Sequence, residues 1–216
     1  MNQLIDALVN PEERGGRADR IGGVVVGVVT NNQDPEGLGR VKVKFPWLSE
    51  EDESHWARVA APMSGDGYGA YFLPEVEDEV LVAFEHGDVR FPYVVGSLWN
   101  GKQKPPLDNA DGKNDVRVIR SRSGHVVRLT DEEGKEKIEV VDKDGKNSVV
   151  IDTASGTVTV RAGKDIVLSA PDGAVKIDAQ KVEVKSSAAS KIESGAGLDI
   201  KASATLNVKG ATVNIN

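Results

Sequence analysis

The chain contains no cysteine, which excludes disulfides, thiolate nucleophiles and cysteine-based zinc sites. That suits a protein folded and assembled in a reducing compartment. There is no surplus of positive charge either. The 27 Lys and Arg stand against 34 Asp and Glu, a net charge of −7. A partner held through its phosphates needs a basic face, so no nucleic-acid partner is expected. No apolar run approaches the roughly 20 residues of a membrane span. The opening residues Met1–Asn10 lack the basic start and long apolar stretch of a signal peptide. The sharpest deficit is local. All ten aromatic residues lie between Phe45 and Trp99, and eight of the nine prolines precede residue 107. Residues 176–216 have no aromatic residue, no proline and no histidine. The chain therefore has two regimes, one built with large side chains and one without them.

Residues 1–20 form the first segment. Leu4, Ile5, Leu8 and Val9 make one apolar stripe at helical spacing, ended by Pro11 and a charged, Gly-containing stretch. The pattern predicts a short helix that would be marginal alone in water, either a frayed terminus or a docking segment for a partner or a sister chain. From residue 21 the period changes to two. The runs GGVVVGVV (22–29), GRVKVKF (39–45), HWARVAA (55–61), DEVLVAF (78–84) and FPYVVGSL (91–98) are alternating or β-branched and bounded by turn residues. Five strands in about eighty residues, with no amphipathic helix, predict an OB-type barrel over 21–100. GKQKPPLDNADGKN (101–114) reads as a linker. Residues 115–148 read as a β neck of alternating strands with Gly turns.

Residues 149–216 carry a repeat. Apolar pairs spaced i, i+2 recur at Val149/Ile151, Val158/Val160, Ile166/Leu168, Val175/Ile177, Val182/Val184, Leu198/Ile200, Leu206/Val208 and Val213/Ile215, with a half-filled slot at Ser190/Ile192. The mean step is eight residues, and a fixed step signals a repeat architecture. Each octad buries two apolar side chains, worth about 1.5–3 kcal/mol apiece. Ordering each backbone residue costs about 1–2 kcal/mol. A lone octad strand cannot hold itself together, and a single-layer meander leaves its edges open. Three outcomes stay open: a single-chain β-solenoid, three chains wound around a common axis, or a tail with no fixed structure. The intertwined trimer closes every edge with the fewest residues, and a narrow axis explains why rings are absent. It places Val158, Val160, Ile166, Leu168, Val175, Ile177, Val182, Val184, Leu198, Ile200, Leu206 and Val208 on the axis. The expected fold is all-β: a five-stranded OB barrel, then a trimeric triple-stranded β-helix needle, preceded by the short helix.

The segments DPEGLGRVKVKFPW, HWARV, FLPEVEDEVLVAFEHGD and VVGSLWNG resemble the OB domain of VgrG spikes of type VI secretion, of phage baseplate assembly protein V and of extracellular contractile injection systems. IRSRSGHVVRLTDEEGKEKIEV resembles the neck that follows in those spikes, and the octads resemble their triple-stranded β-helix. The resemblance implies a homotrimeric spike at the centre of a baseplate, driven through a target envelope when a sheath contracts. The membrane then enters only as the thing punctured. Such a particle is assembled in the bacterial cytoplasm, as a tail-like particle or virion, and is delivered to a target or outside the cell on firing. About twenty residues precede the barrel where VgrG proteins have a large hub, so either the hub is a separate chain that meets Leu4, Ile5, Leu8 and Val9, or this sequence is the C-terminal piece of a longer protein. The family also implies a PAAR-repeat protein seated on the tip, at Val213, Asn214, Ile215 and Asn216, with effectors as further cargo. No histidine follows residue 125, so the His-x-His iron tip of some phage spikes is not expected. No lysozyme domain fits in the 101–114 linker.

Chemical motifs are weak. His55, His86 and His125 have no ligand spacing, and no metal or other cofactor is expected. EVEDE (75–79) reads as a solvated acidic turn rather than a glycosidase pair. GDGYG (65–69) lacks the Lys of a phosphate loop and reads as a turn with positive φ. DKDGKNS (142–148) has its Gly too early for a calcium loop, so Asp144-Gly145 reads as a hairpin turn. Ser121, Ser123 and His125 lack a partner acid. Trp47, Trp56 and Trp99 are expected as barrel core or trimer contacts rather than stacking platforms for single strands. The chain is expected not to be an enzyme. The competing reading is an OB module that binds glycan or nucleic acid on a solenoid stalk.

Overall fold

A valine-rich alternation dictates the first half of the molecule. The computed structural model describes residues 20–48 and 53–215. The helix expected at residues 1–13, with its docking residues Leu4, Ile5, Leu8 and Val9, lies outside the described residues, as does Asn216.

Strand β1 (Val24–Asn31) pairs antiparallel with β2 (Lys42–Lys44) and with β6 (Glu79–Phe84). β6 pairs with β7 (Pro92–Leu98), and β7 pairs in parallel with β3 (Arg58–Val59). The curled sheet has the order β2-β1-β6-β7-β3. Its two outer strands meet through Val41 and Ala57, whose backbones exchange hydrogen bonds of 3.0 and 2.7 Å. Five strands thus run round a ring in the OB order. The period-two alternation explains the closure, because inward residues of every strand meet at the centre. In β6, Val80, Val82 and Phe84 are buried while Glu79, Leu81 and Ala83 lie on the other face. With Val29, Val41, Val43, Phe45, Ala57 and Val94 they form the core. Phe45 and Phe84 stand 5.6 Å apart at a tilt of 59°, a favoured arrangement for two rings.

Gly27 interrupts the valine run of β1 for a steric reason. A Cβ there would sit 2.3 Å from Cγ1 of Val43, so only Gly lets the two strands cross this closely. A small hairpin of β4 (Ser64–Gly65) and β5 (Tyr68–Gly69) leaves the barrel where GDGYG was expected as a turn. Its Gly67 has φ +72°, as that expectation required.

The second sheet is a meander of β8 (Val116–Arg120), β9 (Val126–Thr130), β10 (Lys137–Val141), β11 (Ser148–Asp152) and β12 (Thr157–Arg161), each antiparallel to the next. The neck expected to stop at 148 thus continues in register to Arg161. Val149/Ile151 and Val158/Val160 pair with each other within one chain. The turn between β10 and β11 is closed by Asp142, whose carboxylate accepts the N–H groups of Lys146 and Asn147 at 2.9 and 3.2 Å. This is the hairpin read from Asp144-Gly145, with Gly145 at φ +68°.

The chain divides at Gly163/Lys164 into two units. In the second, residues 164–215, the described backbone has no regular strand. Its residues are exposed, and bends recur along it.

Candidate functional site

The meander has two unlike faces. Cross-strand register aligns Ile119, Val127, Val140, Val149 and Val160 in one row. Leu129, Ile138, Ile151 and Val158 form the next, with Arg117 at its end. Every one of these nine apolar side chains is exposed. A trough of about 470 Å³ runs along the first row. The opposite face is polar at its centre. Arg128 and Lys137 both approach Glu139, at 3.6 and 3.3 Å. Hydrophobic residues that alternate this cleanly belong against something, and among the described residues nothing covers this face.

The tail repeats the same logic without in-chain pairing. Its bends fall at residues 163–164, 171–173, 180, 187–188, 195–196, 203–204 and 211–212. From 187 onward the step is eight residues. Each apolar pair from Ile166 to Leu206 begins two residues after a bend: Ile166/Leu168, Val175/Ile177, Val182/Val184, the slot at 190/192, Leu198/Ile200 and Leu206/Val208. Val213/Ile215 follows its bend by one. Side chains alternate between the bends. Lys181 pairs with Glu183 at 2.6 Å across the intervening Val182, and Lys191 pairs with Glu193 across Ile192. Two ion pairs at i, i+2 require an extended backbone with charge on one side, which leaves Val182, Val184 and Ile192 on the other. Val184 is 89% exposed and Ile215 is 90% exposed. Within the described residues of this unit the one backbone–backbone hydrogen bond runs from the Gly173 N–H to the Ala170 oxygen. The ladder between successive coils that defines a single-chain solenoid is therefore not among them.

The barrel surface holds two aspartate–arginine pairs. Asp34 organises the loop before β2. Its carboxylate accepts the N–H groups of Glu36 and Leu38 at 3.1 Å each and a fork from Arg40 at 2.8 and 2.7 Å. The Arg40 guanidinium holds the Asp34 carboxyl well below the usual carboxylate range. Arg90 does the same to Asp88, whose pKa falls to about 2. The tryptophans are not in the buried core, which corrects one of the two expectations for them. Trp47 is 53% exposed and donates to the Val26 oxygen, while Trp99 is 68% exposed. Trp56 lies half-buried beneath Arg40 and Lys42, each within 6 Å of its ring centre. The core is instead six valines with Ala57, Phe45 and Phe84.

His86 sits in a single 3₁₀ turn, Glu85–Gly87, at φ +50°. His125 lies at the end of the meander, where its Nδ1 accepts the Lys143 N–H at 3.3 Å and its own N–H donates to the Ser121 hydroxyl at 2.9 Å. These contacts tie two turns together and bring no acid to Ser121 or Ser123. Among the described residues no group of three or more His, Asp or Glu could hold a metal ion. Glu77, in the acidic turn, has φ +74°, a conformation that favours glycine. Sequence reading gave no sign of this. Its N–H donates to the Val29 oxygen at 2.8 Å, and its own carbonyl accepts from Gln103 at 3.2 Å.

Comparison with known proteins agrees with this architecture. Residues 25–99 match the type VI secretion system/phage-baseplate injector OB domain. The match spans the barrel, and the likeness to VgrG and phage-baseplate spikes rests on this domain. It is similar to the type VI secretion system spike protein VgrG3 of Vibrio cholerae, with 32% identity over 129 residues, covering 56% of this chain and 13% of that protein. It is also similar to the spike protein VgrG1a of Pseudomonas aeruginosa, with 30% identity over 146 residues, covering 62% of this chain and 23% of that protein. A third relative is the actin cross-linking toxin VgrG1 of Vibrio cholerae, 31% identical over 109 residues, which cover 46% of this chain and 10% of the toxin. The chain spans less than a quarter of the length of these relatives.

Proposed function

We propose that this protein is the homotrimeric central spike of a contractile injection system, and that its work is mechanical. The observation that carries the reading is the metre of the tail. A bend recurs about every eight residues, an apolar pair follows two residues later, and charges pair across the other side. Such a chain has an inside but, among its described residues, nothing within itself to put there. Three copies around an axis supply it, with Val158, Val160, Ile166, Leu168, Val175, Ile177, Val182, Val184, Leu198, Ile200, Leu206 and Val208 facing inward. The uncovered face of the meander supports the same symmetry, because three such faces turned inward would bury Val140, Val149 and Ile151 together. Backbone pairing between chains would make the needle stiff, and the energy of firing would come from the sheath.

The remaining parts of the reading follow from that one. Residues 1–20, through Leu4, Ile5, Leu8 and Val9, would dock on a hub supplied by a separate chain. Val213, Asn214, Ile215 and Asn216 would form the blunt end on which a PAAR-repeat protein sits, with effectors as further cargo. Assembly would occur in the bacterial cytoplasm and delivery in or beyond the target envelope. The chain would bring no catalysis of its own.

Light scattering on the purified protein tests the core of this. A trimer of the 23.0 kDa chain has a mass of about 69 kDa, and a monodisperse monomer would end the proposal. Deleting residues 1–20 tests the docking segment, since it should abolish capture of the hub while leaving the mass of the assembly in whole-trimer steps.

A further inference from the structure

The meander has an open edge beside the barrel, and its chemistry differs from that of the rest of the chain. β8 is the last strand of its sheet and pairs only with β9. The Ser121 N–H donates to the His125 oxygen at 2.9 Å and the Asp131 N–H to the Asp115 oxygen at 2.8 Å. Hydrogen-bonded and non-bonded positions alternate along an antiparallel pair. Residues 115, 117, 119 and 121 therefore spend their backbone groups on β9. Val116, Val118 and Arg120 turn their N–H and C=O groups to the free edge.

That edge borders a cleft of about 680 Å³. Phe72 and Trp99 line it from the barrel, Lys104 and Pro105 from the linker, and Arg120 and Arg122 from the meander. Phe72 is 70% exposed, so the ring has contact area to offer. Among the described residues Lys104 and Arg120 form no ion pair, and Arg122 reaches only Glu75, at 3.0 Å. A cleft with three cations, two of them unneutralised, stands out on a chain of net charge −7.

We infer that this cleft takes an extended acidic peptide segment of another protein, which adds a strand to the edge of β8. Free backbone groups provide affinity in that mode of recognition, and side-chain pockets provide selection. Carboxylates on one side of the added strand meet Lys104, Arg120 and Arg122. Apolar side chains on the other meet Phe72 and Trp99. A second copy of this sheet does not fit the charge. Its own free strand, β12, carries no carboxylate in Thr157–Arg161 and ends in an arginine. The inference rests on the cleft and holds whether or not the tail trimerises.

The test uses the full-length protein and a short fluorescein-labelled peptide alternating Glu and Val, with a Lys-for-Glu counterpart. Anisotropy should show saturable binding of the acidic peptide, weakened by salt, and at least about tenfold weaker binding of the basic one. The variant K104E/R120E/R122E should reverse that preference. Val118→Pro removes an outward N–H at an edge position where proline is tolerated. It should weaken binding about tenfold with an unchanged far-UV spectrum. If it does not fold, Arg120→Pro serves as the second edge variant. Equal binding of both peptides, no binding, or full binding to the proline variant overturns the inference. So does slow hydrogen exchange at Val118 and Arg120 in the peptide-free protein, which would mean that a second copy already fills the edge.

Discussion

The barrel and the tail are written in the same alphabet of alternating valine, isoleucine and polar residues, yet only one of them closes on itself. In the barrel every strand finds its neighbour in the same chain, and six valines are wholly sealed from water. In the tail the same alternation yields side chains that are more than half exposed at nearly every tooth. The difference lies in connection and size rather than in hydrophobicity. The barrel strands are joined by loops long enough to return and are filled out by Phe45 and Phe84. The tail turns through short bends and carries no ring. The meander is an intermediate case, its strands paired with one another within one chain but its apolar face uncovered. Backbone pairing and burial are thus separable, and a chain can have one without the other.

The largest effect should come from breaking the burial proposed for the tail. Val182→Asp or Leu206→Asp places a charge where the trimer axis would lie, and desolvating it there is prohibitive. Light scattering should then give about 23.0 kDa while the thermal transition of the barrel stays in place. A variant that keeps its trimer mass would show that the inward face has been assigned the wrong way round. Next is the barrel core. Phe84→Ala should cost about 3–5 kcal/mol in denaturant titration, because its ring fills the centre against Phe45. An equal cost from Ile177→Ala in a variant held monomeric would erase the contrast between the regions.

Acid should act on the barrel surface. Asp34 and Asp88 have depressed pKa values in the folded chain, owing to Arg40 and Arg90. Their contribution is therefore complete above the ordinary carboxylate value of about 4 and is lost as pH falls towards the folded values. For Asp88 that window runs down to about 2. The barrel melting temperature should decline below about pH 4, and Asp34→Asn should flatten part of the decline. The smallest effect expected is a gain. Glu77→Gly relieves a left-handed backbone and should add about 1 kcal/mol or less to barrel stability, since glycine recovers the strain but loses more entropy on folding. A loss would mean that the Glu77 side chain holds the turn.

The barrel was legible because burial on one face imposes period two, and its five runs became strands within a few residues of the expected bounds. The octad spacing was read from the same alternation, and bends recur just before Ile166, Val175, Val182, Leu198 and Leu206. Three features were not. The tryptophans looked like core because they are large and apolar, yet Trp56 is held by two cations that only the fold brings together. The neck ran past 148 because nothing local distinguishes a tooth that pairs in-chain, such as Val158, from one that does not, such as Val182. The open edge beside Trp99 had no sequence signal, since an edge is a property of strand order.

The eight-residue metre makes reach a counted quantity. In the proposed trimer, removing one whole unit, such as residues 190–197, would leave every later side chain on its own side and shorten the needle by a single step. Removing Asp199 alone, inside one apolar pair, would put Leu198 and Ile200 on opposite sides. Under that proposal, needle length is set by the number of repeats rather than by redesigning any of them.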